Sequence, residues 1–301
     1  MNTITRRTFI KDTGLLAVGA VLSSRLATAL EAPGPRVVVV HGSNPGAMLR
    51  AGMEKMGGWP AFVKQGRRVV LKPNAAWACE PEKAANTTPE LVAEFIRECL
   101  KAGASEVVVP ENPCSPAVDA FRVSGVGEAV KSAGGRMYCP RNASEFRKID
   151  IPKGRSLKSA DVVADVLDAE CLVNMPVAKN HGSSAVLTIA MKNWMGSVKD
   201  RGYWHKHELH QCIADICTVI RPTLVIVDAM RIMLTNGPRG PGKLKNAGQL
   251  VFATDQVAAD AYTATLFDKK PLDIPYIRAA HDAGTGCGDP AVIKVEHVNA
   301  A

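Results

Sequence analysis

The chain alternates between short, uninterrupted apolar runs and longer stretches with helical spacing. Val37–His41, Arg67–Leu71, Val107–Pro110, a segment near Met137, Cys171–Asn174, Thr223–Val227 and Leu250–Ala253 read as strands. Helices are expected over Pro89–Ala102, near Val126–Ala133 and over Gln256–Phe267. The first of these has the clearest start: Thr88 can cap it, Pro89 suits its first turn, Glu90 complements its dipole, and Gly103 ends it. Strands that are apolar throughout, instead of alternating, are covered on both faces. The pattern predicts an α/β fold, a mostly parallel sheet with helices on both faces. A polar stretch over 141–161 separates two βα sets and reads as an insertion within one compact unit.

Where the strands end, the sequence turns polar. Lys72 and Asn74 follow one strand, Glu111 and Asn112 another, then Asn174, Asp228 and Asp255 each follow one more. Ligands of open α/β sheets sit in the crevice beyond the strand carboxyl ends. The five ends together predict one polar crevice there, although each residue alone suits a cap or turn equally well, Asp255 most of all.

The densest gathering lies between residues 171 and 210. Lys179 and His181 follow a strand, and Gly182 permits close backbone approach. Ser183 or Ser184 can cap a helix while leaving N–H groups free for an anion. That helix is expected to carry Thr188 and Lys192 on one face, with Leu187, Met191, Trp194 and Val198 on an apolar one. A lysine in such company is costly to bury without a partner, and can equally reach out to solvent. Imidazoles suit proton transfer near neutral pH, and a crowded lysine can be tuned toward it. His181, Lys192 and Lys179 are therefore the candidate catalytic residues. Lys72, Asn74, Asn174, Asn193 and Arg239 are the candidate substrate-binding set.

Arg239 sits in Asn236–Gly242, a glycine- and proline-rich run that has neither P-loop nor GxGxxG order and reads equally as a surface turn. In the His-rich turn, with His205 just before them, His207 and His210 are three apart at an expected helix start. They can hold Zn²⁺ or a transition metal, with Asp228 or Glu208 as a third group.

Composition narrows the partners. At 22% charged and 47% hydrophobic residues, the 301-residue chain is that of a globular protein. The formal charge of +8 includes +3 from residues 1–29, where Arg6, Arg7, Lys11 and Arg25 oppose Asp12. The remaining +5 is spread without a Lys/Arg run, and only 5% of residues are aromatic, which argues against nucleic acid and suits a small anionic ligand. Eight cysteines include no CxxC, the closest pair being Cys212 and Cys217, so the ligand patterns of a ferredoxin cluster and of a zinc ribbon are absent. Most are expected as buried thiols. An oxidising compartment leaves one or two disulfides open, including Cys114 with Cys139.

Residues 1–29 read as an address. Thr5–Lys11 is a twin-arginine pattern, Gly14–Leu22 a modest apolar stretch, and Ala27-Thr28-Ala29 a cleavage site. The stretch is too short for a comfortable transmembrane helix. The expectation is a mature domain over 30–301, exported folded by the twin-arginine translocase to the periplasm or another extracytoplasmic space, with no stable membrane span after processing.

The segments Lys72–Asn74 (KPN), Met175–Gly182 (MPVAKNHG), Thr188–Gly196 (TIAMKNWMG), Asp200–Ile216, Val225–Ala229 (VIVDA), Asn236–Gly242 (NGPRGPG) and Ala253–Ala261 (ATDQVAADA) resemble the domain-of-unknown-function 362 family. The resemblance implies an α/β fold, in a family where many members carry ferredoxin-type modules or twin-arginine signals. This chain departs from the former.

The order Pro176-x-x-Lys179-x-His181, with Lys192 eleven residues beyond, is also similar to nickel-pincer racemases, although the spacings differ and their glycine-rich pattern is missing. That similarity implies Lys192 as the anchor of a metal-bearing cofactor, His181 as proton-active and His207 or His210 as the metal ligand. The resulting expectation is an exported enzyme using a metal or metal-bearing cofactor on a small anionic substrate. Its alternative is an anion- or metal-binding carrier, or a maturation factor serving a periplasmic redox partner.

Overall fold

A computed structural model describes residues 34–300. The twin-arginine pattern and cleavage site lie outside the described residues. Twelve strands are formed among the described residues: β1 (Arg36–His41), β2 (Arg68–Pro73), β3 (Glu106–Pro110), β4 (Arg136–Tyr138), β5 (Phe146–Asp150), β6 (Ser159–Val163), β7 (Cys171–Met175), β8 (Val177–Asn180), β9 (Leu187–Thr188), β10 (Leu224–Met233), β11 (Leu244–Ala253) and β12 (Lys294–Asn299). Ten of them make one sheet, ordered β12-β1-β11-β10-β7-β2-β3-β4, with β8 attached to β10 and β9 to β8. The polar insertion forms its own antiparallel pair, β5 with β6.

The sheet is mostly parallel: β12 with β1, then β10, β7, β2, β3 and β4 in succession. Strand β11 runs against both neighbours, β1 and β10. Its apolar content gives no hint of this, because a strand covered on both faces is apolar whichever way it runs. Direction is set instead by the short connection from β10, which returns the chain as a hairpin and pairs Met233 with Leu244.

Alternation along β1 shows how both faces are covered. Val37 and Val39 enter one core with Met191, Trp194, Ile213, Val257 and Ile277, from the helices Ala190–Asn193, Leu209–Ile216, Gln256–Thr265 and Pro275–Asp282 and the turn at Trp194. Val38 and Val40 enter the other with Met48, Leu91, Phe95 and Val130, from the helices Pro45–Lys55, Pro89–Lys101 and Val126–Ser132. The period of two in a strand sends successive side chains to opposite cores. No helix among the described residues is long and apolar enough to cross a membrane.

Two of the five polar strand ends serve the fold. Because β11 is reversed, Asp255 emerges at the sheet edge opposite the carboxyl ends of β2, β3 and β7. There it caps Gln256–Thr265, accepting from Val257 N (2.8 Å) and Ala258 N (3.1 Å). Asp228 lies within the long strand β10, and its Oδ2 accepts from Thr88 N at 2.8 Å where Pro89–Lys101 begins. The Thr88 side chain makes no cap bond, so an aspartate from across the sheet takes part of the role expected of it.

Candidate functional site

The remaining three strand ends meet. Asn193 is the centre of a buried amide lattice: its Nδ2 donates to Asn174 Oδ1 (2.8 Å) and Lys72 O (3.1 Å), and its Oδ1 accepts from Asn74 Nδ2 (2.9 Å). Asn174 Nδ2 continues to Ala190 O at 2.8 Å. Asn74 Oδ1 accepts from Lys179 Nζ at 2.7 Å, and Lys179 also donates to Ala85 O. An isolated buried amide would be costly; a connected set joins β2, β7, β8 and the Ala190–Asn193 turn into one wall.

The segment after β8 is not the single helix expected there. Strand β9 doubles back on β8, placing Thr188 opposite Lys179. Val186 holds φ +64°, a strained conformation for a β-branched side chain, and Ile189 is extended. A helix cannot pass through either. Helical structure resumes only at Ala190, whose N–H, with that of Met191, donates to buried Asp260 (2.8 and 3.2 Å). Those N–H groups are therefore committed, and the anion-binding helix start expected near Ser183 does not form: Gly182–Ala185 is a four-residue turn.

These elements enclose a cavity of about 230 Å³ at the strand ends. Lys179, Lys192, His181, Asn74, Asn193, Glu111, Arg201 and His205 line it, with Trp77, Cys114, Thr188, Met195, Gly196 and Pro238. Lys192 is 6% exposed and does not reach solvent. Among the described residues its Nζ meets only Met195 Sδ, at 3.2 Å. Burial lowers its pKa to about 8, with Arg201 adding to the effect and Cys114 opposing it. Burial, then the charge of Lys192, lowers Lys179 to about 7. His181 Nδ1 pairs with Thr188 Oγ1 at 2.8 Å, leaving Nε2 without a partner among the described residues. Burial and the two lysines push this imidazole down to about 2, so it is neutral at physiological pH.

Glu111 occupies the end of β3. Its Oε2 accepts from Lys72 Nζ (2.8 Å) and Ala75 N (2.9 Å), while Oε1 is buried with no partner among the described residues. Only glycine fits at position 196, since a side-chain carbon there would collide with Glu111 Oε1 and Lys72 Nζ. Arg201 donates to Asn112 O at 2.6 Å and to Pro113 O, which holds the guanidinium beside the same strand end. The glycine–proline run contributes Pro238, because Gly237 packs against Asn180 O too closely for any side chain.

Several expected site residues lie elsewhere. Lys72 and Asn174 sit behind the wall, bonded to Glu111 and Asn193. Arg239 is exposed and does not line the cavity. His207, His210 and Asp228 are not brought together. His207 follows the short helix Gly202–Lys206, its ring stacked on Tyr203 and its Nδ1 2.7 Å from Tyr203 O. His210 belongs to the next helix and stacks on Tyr276. Asp228 is engaged at Thr88, and Glu208 accepts from Ser156 Oγ at 2.6 Å. No cluster of three or more His, Cys, Asp or Glu side chains suited to a metal occurs among the described residues. The metal-ligand role that the racemase similarity implies for His207 or His210 therefore has no counterpart in the cavity, where the lining imidazoles are His181 and His205. The eight cysteines are free thiols, Cys114 and Cys139 included.

Glu111, Cys114, Arg201 and His205 are absent from the expected site set. A signal existed for Glu111, a carboxylate at a strand end, and for His205, in the His-rich turn. Nothing in the sequence distinguishes Cys114 or Arg201.

Fold and site thus define an α/β protein whose parallel strands end in a predominantly cationic cavity. A family model described as "Domain of unknown function (DUF362)" matches residues 69–265, and the chain belongs to that family. A thylakoid-associated protein of Synechocystis sp. is 28% identical over 253 residues, covering 79% of this chain and 74% of its own. Two solved structures are similar at 10% identity each. A Thermotoga maritima protein gives a TM-score of 0.46 over 76% of this chain, and the lactate racemase apoprotein of Thermoanaerobacterium thermosaccharolyticum gives 0.48 over 73%. The chain spans 60% and 54% of those two chains.

Proposed function

We propose that the cavity is the active site of an enzyme acting on a small anionic substrate, with Lys192 and His181 as its proton-active groups. The observation that carries this reading is Lys192. A buried amine with no oxygen partner among the described residues, in a cavity it shares with Lys179 and Arg201, is stabilised by a ligand that brings negative charge. An amine with a pKa near 8 holds or releases a proton at working pH, and the neutral His181 imidazole becomes a proton acceptor only once a bound anion offsets the lysine charges that, with burial, hold its pKa down. Lys179 reinforces the field, while Asn74 and Asn193 fix the wall against which the ligand rests.

Export through the twin-arginine route belongs to the same proposal, carried by Thr5–Lys11 and Ala27–Ala29. So does a metal-bearing cofactor, which this cavity would hold through Lys192 as anchor instead of through His207 and His210.

The test is titration calorimetry of the purified full chain with small mono- and dicarboxylates, alongside Lys192→Met, followed by incubation with the bound acid in D₂O. Binding that Lys192→Met weakens at least about tenfold, with deuterium entering the ligand, supports the reading. Equal binding by the variant overturns it. Tight binding without exchange or turnover favours an anion carrier.

A further inference from the structure

Glu111 raises a question that a purely cationic site does not answer. Its carboxylate is fully buried, yet among the described residues only Oε2 has donors and Oε1 has none, at a residue that lines the cavity. A buried carboxylate oxygen left without a donor is strongly unfavourable, and such an atom in a native protein calls for a partner. The groups fixed around it do not supply one. Lys72 and Ala75 are committed to Oε2, Lys179 to Asn74 and Ala85, and Arg201 to the carbonyls of Asn112 and Pro113. Gly196 keeps the space beside Oε1 clear of any side chain.

We infer that the ligand carries a hydrogen-bond donor for Glu111 Oε1 in addition to its anionic group, and that this donor is a hydroxyl: the substrate class is a small hydroxy acid. This rests on the anion reading of the same cavity and goes one step further. An ammonium would also donate to a carboxylate. It would, however, have to sit among Lys179, Lys192 and Arg201, with Glu111 already neutralised by Lys72. A hydroxyl meets the need of Oε1 without adding a positive charge to a site that is already cationic. The cavity would then read its ligand at two poles, the acid by Lys192 and the hydroxyl by Glu111.

The experiment uses acids that differ at one position: malate, aspartate and succinate on a four-carbon skeleton, and glycolate with acetate on a two-carbon one. Affinities are measured by calorimetry on the full chain near pH 7. A charge-assisted hydrogen bond predicts that the hydroxy acid of at least one pair binds about 10- to 100-fold more tightly than its deoxy counterpart, and that malate exceeds aspartate. In Glu111→Gln the malate preference over succinate should shrink to about threefold or less while succinate binding persists. Should that variant fail to fold, judged by circular dichroism, the wild-type comparison decides alone. Equal affinity of each hydroxy acid and its deoxy partner overturns the inference and leaves the anion site standing. Aspartate binding above malate replaces the hydroxyl with an ammonium and overturns it equally. If none of the five acids binds, the anion reading fails and this inference with it.

Discussion

Lys72 Nζ lies 2.8 Å from Glu111 Oε2, and neither side chain reaches solvent. Burial pulls the lysine below its ordinary pKa and the carboxylate pulls it back. Removing one member strands the other charge in the interior. Lys72→Met is expected to cost about 3–5 kcal/mol, and the double variant Lys72→Met/Glu111→Leu to recover most of it. Urea denaturation of the three proteins checks this. A double variant no more stable than the single one would mean that the pair is not coupled.

Lys192 makes the opposite prediction for stability. Its folded pKa, about 8, lies below that of an unfolded lysine, so the unfolded chain binds more protons between about pH 8 and 10.5. The buried amine therefore destabilises the fold fully below pH 8, and the penalty fades as pH rises toward 10.5. Lys192→Met should unfold with a free energy up to about 3 kcal/mol higher at pH 7, the advantage vanishing near pH 10.5. Denaturation curves at several pH values test the sign.

Anion affinity should follow the same amines in reverse. Lys179 and Lys192 lose their protons around pH 7 and 8, so affinity should fall across pH 7–9, by about tenfold per unit once one proton is linked to binding. His181 is already neutral, so it should contribute no step of its own near pH 6. Calorimetry in buffers of different ionisation enthalpy would show proton uptake on binding in that window.

Cys114 offers a reporter of occupancy. It is exposed on the cavity lining, whereas Cys79, Cys99, Cys171, Cys212 and Cys217 are buried. Brief alkylation should label it first, iodoacetate should gain on iodoacetamide relative to a free thiol, and a bound acid should slow both. Mass spectrometry of digested protein reads each of these. Labelling of Cys114 that ignores bound ligand would place the anion elsewhere.

The general architecture was legible because strands such as Val37–Val40 are apolar at every position, and helices such as Pro89–Lys101 carry their own start and stop signals. What the pattern does not hold is direction: β11 reads as one more buried strand, and its reversal took Asp255 away from the crevice. Nor does it hold the local conflict at Val186 and Ile189, where tertiary pairing of β9 with β8 overrode a helical spacing that Thr188 and Lys192 fit well. The lysines and asparagines of the site were legible as residues that a buried strand end tolerates only for a reason. The histidines misled, because HxxH spacing presumes one continuous helix, and the chain breaks at His207 between two.

The lattice of Asn174, Asn193 and Asn74 has a consequence for how the cavity can respond to its surroundings. Carboxamides carry dipoles but exchange no protons near neutral pH, so the wall that orients the ligand keeps its electrical shape from acid to base. Titration is confined to the amines set against that wall. Affinity and protonation can therefore be tuned through Lys179 and Lys192, while the frame that decides where a ligand lies stays fixed, much as a ruler keeps its marks when the light on it changes.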